Sequence, residues 1–270
     1  MNRLYLHQIM ELNNEAAALI VQKEYDQGTE KLQTGLRQLQ AHLAQMPQLS
    51  VANSSGTCSN SLDTWMYPAV EALHNEQAGC GPTASFFVYR RPLVVPQLTI
   101  GIVMANAESL KAYPNGVAGE HTSLLIAMLF NYGLVCHLSY IDHEGKLNNG
   151  RSLLQKASQM YDLAISNLRR LAAFGEAAGS RTIVISSNIQ FFRAAMNNLA
   201  ICEQTRYVLA RDESCSLDIP FNKGFERLRE LLMQYPSSND APEKALWGCY
   251  LANILQVMGS FQPNFCAAAC

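Results

Sequence analysis

Apolar residues recur at helical spacing near the start of the chain. Leu12, Ala16 and Leu19 lie on one face of a first helix. A second run of leucines follows at the same spacing, at Leu32, Leu36, Leu39 and Leu43. Only residues 23–26 separate the two patterns, and so short a break accommodates no more than a tight turn. The pattern therefore predicts a helical hairpin that Pro47 closes.

The helical pattern returns at Thr122 and continues almost to the end. It predicts five further helices, at Thr122–Tyr140, Ser152–Phe174, Thr182–Ala210, Asn222–Tyr235 and Pro242–Met258. Glycine and proline punctuate the connections, as expected between antiparallel helices. Between the two helical regions we expect a polar loop, a short helix from Tyr67 to Asn75 and, over residues 85–104, one or two extended segments or an ordered apolar loop. Pro92 and Pro96 exclude a continuous central strand there.

A spacing of small and bulky residues repeats in the second helix of each predicted pair. It occurs as Gly28-x3-Leu32-x2-Gly35, as Ala157-x3-Tyr161-x2-Ala164 and as Gly224-x3-Leu228-x2-Leu231. A small residue lets two helices cross closely, and the bulky residue one turn later fills the groove between them. The first helices also share a feature, an asparagine two places before a small residue, at Asn14, Asn131 and Asn198.

These motifs resemble the tetratricopeptide-repeat (TPR) family. The resemblance implies an all-α fold of antiparallel helix pairs stacked in a right-handed superhelix. The short extended or β insertion near residues 85–104 comes from the residue pattern and departs from the family. Residues 141–151 and 210–220 are longer than the family's turn. We expect one TPR-like domain over residues 1–270, divided into a first helical pair (1–46), a loop, short helix and extended insertion (47–118), further helical pairs (119–260) and a flexible tail (261–270).

The resemblance also implies where a partner binds. The shared asparagine faces the concave groove in peptide-binding members, and an amide both donates and accepts hydrogen bonds. The groove candidates are therefore Asn14, Asn131 and Asn198, with Asn13 and Asn197 beside them. Asparagine also occurs here in repeats that bind no peptide, so a structural role is the alternative. Asn13, Phe130 and Asn197 stand where chaperone-binding members carry basic residues, so chaperone-tail recognition is not expected.

The insertion has two places where it could be covered. Extended chain rich in phenylalanine and valine must lie against something. The adjacent Arg90 and Arg91 favour a surface position. We therefore predict a strap or edge hairpin that leaves the groove open. The alternative is a built-in ligand that pairs with Asn131 and Asn198 and blocks the peptide site.

Composition narrows the function. The chain is 49% hydrophobic and only 16% charged, with a net charge of −2, which excludes global disorder and a general nucleic-acid binder. A weakly charged surface favours association, so we expect a protein or peptide partner and allow self-association. A locally basic stretch, residues 146–229, supports RNA binding as the alternative function. Its basic-face candidates are Arg169, Arg170, Arg181, Arg193 and Arg206.

No catalytic motif competes with an interaction scaffold. Cys80, between two glycines, with His121 as a base is the nearest approach to a nucleophile pair, and an ordinary turn is favoured over it. We assign no catalytic residue, cofactor or metal, and an unrecognised small-molecule enzyme is the remaining alternative. No signal peptide is recognised, and the apolar run Leu124–Leu138 favours a buried helix over a membrane span. An intracellular location, cytoplasmic or nuclear, is expected.

Overall fold

Helices form nearly all of the part of the chain that the structure describes. The computed structural model describes residues 2–45, 86, 88–95, 114–143, 150–176, 188–211, 223–236 and 241–260. Within these ranges there are seven helices and no strand: α1 Asn2–Val21, α2 Tyr25–Gln45, α3 Pro114–Asp142, α4 Gly150–Glu176, α5 Ile189–Arg211, α6 Lys223–Gln234 and α7 Ala241–Ser260. The prediction of a mainly all-α protein is confirmed.

The first two helices form the predicted hairpin. Lys23 takes the left-handed conformation, with a φ of 65°. Its N–H donates to Ile20 O at 3.1 Å, and the N–H of Glu24 donates to Leu19 O at 2.9 Å. These bonds satisfy carbonyls that the end of α1 would otherwise leave unpaired, so the chain reverses within three residues.

The helices stack in pairs. Each helix packs against the next one along the chain, and α1 also contacts α3 while α5 contacts α7. The pairs are α1 with α2, α3 with α4, and α5 with α6, and α7 follows as a further first helix. Contacts between successive first helices are those of stacked hairpins, and the arrangement is compatible with a helical repeat fold.

The repeated small residues lie where helices approach closely. Gly133 on α3 faces Tyr161 on α4, and a Cβ at Gly133 would stand 2.9 Å from that ring and 3.3 Å from Ala157 O. A larger residue at Gly133 would therefore require the Tyr161 ring to shift. The other repeated positions are buried too, among them Leu32, Ala157, Tyr161, Ala164 and Leu228.

The centre of the core is α3. Its segment His121–Asp142 has the length and apolar composition of a membrane span, but 83% of its most apolar stretch is buried inside the protein. Such burial is typical of a core helix.

The remaining predicted helices are confirmed, with ends that differ from the predicted ones. The predicted helix Tyr67–Asn75 and the tail 261–270 lie outside the described residues.

Candidate functional site

Three asparagines on three first helices each hold one residue of the same segment. We call Asn14 of α1, Asn131 of α3 and Asn198 of α5 the asparagine ladder, and residues 88–95 the groove segment. Tyr89 N–H donates to Asn198 Oδ1 at 2.9 Å, and Asn198 Nδ2 donates to Tyr89 O at 2.9 Å. Asn131 makes the same two bonds with Leu93, at 2.7 Å and 2.9 Å. Asn14 makes them with Val95, at 2.8 Å and 2.9 Å.

This geometry defines the conformation of the groove segment. A residue presents its N–H and C=O to the same side only where the backbone is extended. Tyr89, Leu93 and Val95 stand four and two positions apart along the chain. In an extended backbone all three therefore direct their N–H and C=O groups to the same side, towards the ladder. Pro92 has no N–H, but its position faces the other way, and no ladder bond is lost.

Five side chains of the groove segment are buried. Tyr89, Leu93 and Val95, the inner residues whose backbones bind the ladder, are each no more than 1% exposed, and Val88 and Pro92 are buried as well. Arg90 is exposed and Val94 is 46% exposed. The segment is thus part of the hydrophobic core on one side and reaches solvent on the other.

The structure places the groove segment inside the groove, so the predicted strap is wrong. Exposed Arg90 agrees with the reasoning behind the strap, but an extended chain directs neighbouring side chains to different sides. One exposed arginine is therefore compatible with a buried Tyr89 before it. The predicted groove residues lie together, and in this structure they hydrogen-bond to a segment of the same chain.

A second row of asparagines supports the ladder. Asn131 Nδ2 donates to Asn13 Oδ1 at 2.9 Å, and Asn13 Nδ2 donates to Leu93 O at 3.0 Å. Between α7 and α5, Asn253 Nδ2 donates to Asn197 Oδ1 at 2.7 Å. Asn13 and Asn197 thus orient asparagines of the following first helix.

Sequence reasoning missed Asn253 on α7. Its bond to Asn197 corresponds to the bond from Asn131 to Asn13, so Asn253 occupies the ladder position of a fourth first helix. Two places after Asn253 stands Leu255, whereas the other three helices have a small residue there, so Asn253 does not match the repeated motif. Its position on the face of α7 is the only signal in the sequence that points to it.

An aromatic cluster closes the groove around Tyr89. The Tyr89 ring lies 6.2 Å from the ring of Phe130, which itself contacts Tyr161 at 5.6 Å and Phe191 at 5.4 Å. Asn198 Nδ2 lies 3.3 Å from Tyr161 Oη, so the cluster also fixes the ladder amide. These tilted and edge-on arrangements stabilise aromatic groups that have left water.

One carboxylate lies near Arg90 of the groove segment. Asp142 accepts hydrogen bonds from Tyr25 Oη at 2.7 Å and from Lys23 Nζ at 3.0 Å. Burial acts to raise the pKa of Asp142, but these two bonds and the charges of Lys23 and Arg90 bring it below its usual value. Asp142 is therefore ionised, and its charge interacts with that of Arg90.

His137 lies in the same region and is held neutral. Burial, followed by the charge of Arg90, lowers the pKa of His137 to about 3. Its ring packs edge-on against Tyr161 at 6.1 Å. No group of three or more metal-ligating side chains occurs among the residues that the structure describes.

One of the basic-face candidates is buried. Arg193 is only 1% exposed: it pairs with Glu243 at 2.7 Å and donates to Tyr235 O, so its assignment to an exposed face is corrected. Arg169, Arg170 and Arg206 are exposed. Burial and the charge of Arg227 lower the pKa of Arg169, while Asp162 acts to raise it. Arg227 and Arg206 also act on Glu203, so basic and acidic groups lie close together here. Arg181 lies outside the described residues.

Two of the three described cysteines, Cys136 and Cys202, are buried. Burial raises the pKa of Cys136 to about 12 and that of Cys202 well above its usual value. Thiols so protonated are poor nucleophiles. Cys80 lies outside the described residues, while His121 is buried at the start of the core segment of α3.

Comparisons with known proteins add no further assignment: no family model, no curated protein and no solved structure matches this chain.

Proposed function

We propose that this protein is an intracellular interaction scaffold of TPR-like design, whose asparagine ladder binds an extended segment of a partner protein. The observation that carries the proposal is the repeated two-bond contact of Asn14, Asn131 and Asn198 with single residues of an extended backbone. Backbone groups are common to all peptides, so the same contacts suit a segment supplied by another chain.

The energy of these contacts favours a binding role. A hydrogen bond contributes about 1 kcal/mol, and six bonds, four of them buried, hold one short segment. Inner side chains add apolar burial at about 25 cal/mol per Å². A partner with the same backbone geometry makes the same contacts, and its net gain is what these contacts yield beyond those that the displaced groove segment loses.

The groove segment then acts as an intramolecular competitor. A partner binds only the fraction of molecules whose groove is free, so its apparent affinity falls by that fraction. The scaffold is closed in the structure described, and a partner opens it by displacement.

The test compares partner capture by variants of the full chain. The double variant Asn131→Ala, Asn198→Ala removes two steps of the ladder, and we expect partners cross-linked to the native chain to be lost. Asn167→Ala is the matched control, because Asn167 on α4 donates only to Leu163 O of its own helix, at 2.8 Å. Capture of the same partners by the double variant, shown to be folded by circular dichroism, would overturn the proposal.

A further inference from the structure

The groove segment shows what kind of partner fits the groove. We infer that the partner presents an extended segment with an aromatic residue, followed four and six places later by aliphatic residues. This inference rests on the proposed function and adds to it the side chains that the groove selects. It follows from how the three inner residues of the groove segment are enclosed.

The aromatic requirement comes from the site of Tyr89. The backbone there is fixed by Asn198, so the side chain has one direction available. It enters the cluster formed by Phe130, with Tyr161 and Phe191 behind it. A small residue at this place would leave a cavity among aromatic rings, which destabilises a complex.

The aliphatic requirement comes from the sites of Leu93 and Val95. Leu93 is 0% exposed and Val95 is 1% exposed, and the backbone of each is fixed by the ladder. A charged side chain at either place would be buried without a partner. The intervening Val94 is 46% exposed, so that position is open to most residues.

The spacing is set by the protein and is independent of the occupant. Asn198 and Asn131 hold residues four places apart, and Asn131 and Asn14 hold residues two places apart. These steps fix the register of any extended segment that uses all three amides.

The experiment measures binding of labelled peptides to the full chain carrying Tyr89→Ala, whose own segment no longer fills the aromatic site. The first peptide spans residues 85–96 of the native sequence. The others carry Tyr89→Ala, carry Leu93→Asp, or contain the same residues in scrambled order. Fluorescence polarisation gives each dissociation constant, and each titration is repeated with the chain that also carries Asn198→Ala.

We expect the native peptide to bind at least about 30-fold more tightly than the other three, and to lose about tenfold in the Asn198→Ala chain. If the scrambled peptide binds within about threefold of the native one, and binding still depends on Asn198, the motif is wrong and the groove function stands. If no peptide shows binding that depends on Asn198, the proposed function itself fails.

The native chain provides a second measurement if the Tyr89→Ala chain does not fold. There the peptides compete with the intact groove segment, so higher concentrations are needed, but the ranking of the four peptides must be the same. A native peptide that displaces the segment no better than the scrambled one would overturn the inference. Displacement is followed by a fluorophore placed at Val94, which is exposed in the structure.

Discussion

Asn131 and Leu93 form a closed two-bond pair, in which one side-chain amide of α3 both accepts from the N–H and donates to the C=O of the same residue. The amide thus acts on the segment as the backbone of a neighbouring strand would. Because Asn13 also donates to Leu93 O and accepts from Asn131, the pair is part of a buried network whose polar groups support one another.

Removing this amide should destabilise the chain strongly. We expect Asn131→Ala to lower the free energy of unfolding by about 2–4 kcal/mol, because the buried N–H of Leu93 loses its acceptor and Asn13 Oδ1 loses its donor, while Leu93 O keeps only the bond from Asn13. Urea denaturation monitored by circular dichroism measures the change. Asn167→Ala, at a half-buried position that bonds only within its own helix, should change stability by less than about 1 kcal/mol. Equal effects of the two substitutions would contradict the network.

The close approach of α3 and α4 gives a second prediction. Gly133→Ala places a methyl group 2.9 Å from the Tyr161 ring, so we expect a loss of about 1–3 kcal/mol. Gly248→Ala is the matched control, because nothing lies within 4 Å of a Cβ placed at Gly248. There alanine should stabilise the helix by about 1 kcal/mol, since it is a better helix former than glycine. Thermal unfolding should therefore move in opposite directions for the two variants. A stabilised Gly133→Ala chain would exclude the close crossing.

The buried pair of Arg193 and Glu243 gives a third prediction. Glu243→Ala leaves the guanidinium of Arg193, 1% exposed, without its carboxylate, and we expect a loss of about 3–5 kcal/mol. The surface pair Lys31 and Glu15, with side chains 44% and 54% exposed, serves for comparison. Lys31→Ala should change stability far less, because solvent screens an exposed ion pair. Chemical denaturation of both variants tests the difference, and comparable losses would disprove the burial of Arg193.

His137 makes stability depend on pH in the acid range. Its pKa is about 3 in the folded chain against 6.5 for an unperturbed histidine, so the unfolded chain binds a proton that the folded chain does not. The stability from neutral His137 is complete above pH 6.5 and is lost as the pH falls towards 3. The loss is about 1.4 kcal/mol for each pH unit in that window.

The substitution His137→Gln should remove this part of the pH dependence, because glutamine does not titrate. Denaturation at several pH values between 3 and 7 measures the slope for each chain. The exposed His143 provides the matched control, and His143→Gln should keep the slope of the native chain. An unchanged slope in the His137→Gln chain would show that another group carries the acid sensitivity.

Helical spacing and the repeated small residues predicted much of the fold. Leu32 and Leu39 are fully buried as their pattern required, and Gly133 meets Tyr161 in the predicted close crossing. These features are local, since they depend on residues three and four places apart. The helix ends are less well determined, and α3 begins at Pro114 instead of Thr122.

The position of the groove segment could not be predicted in the same way. It depends on contacts between residues far apart in sequence, such as Tyr89 with Asn198 and Val95 with Asn14. The sequence shows that apolar extended chain needs cover, but both sides of a helical array provide it. Only the complementary geometry of the asparagine amides distinguishes the groove from the outer side.

Amide hydrogen exchange of the native chain tests the central claim most directly. Two-dimensional NMR should show that the N–H groups of Tyr89, Leu93 and Val95 exchange at least about 100-fold more slowly than those of Arg90 and Val94. In the Asn131→Ala chain, Leu93 should lose this protection first. Rapid exchange at a common rate for all five residues in the native chain would contradict the account, because no asparagine would then be holding the segment.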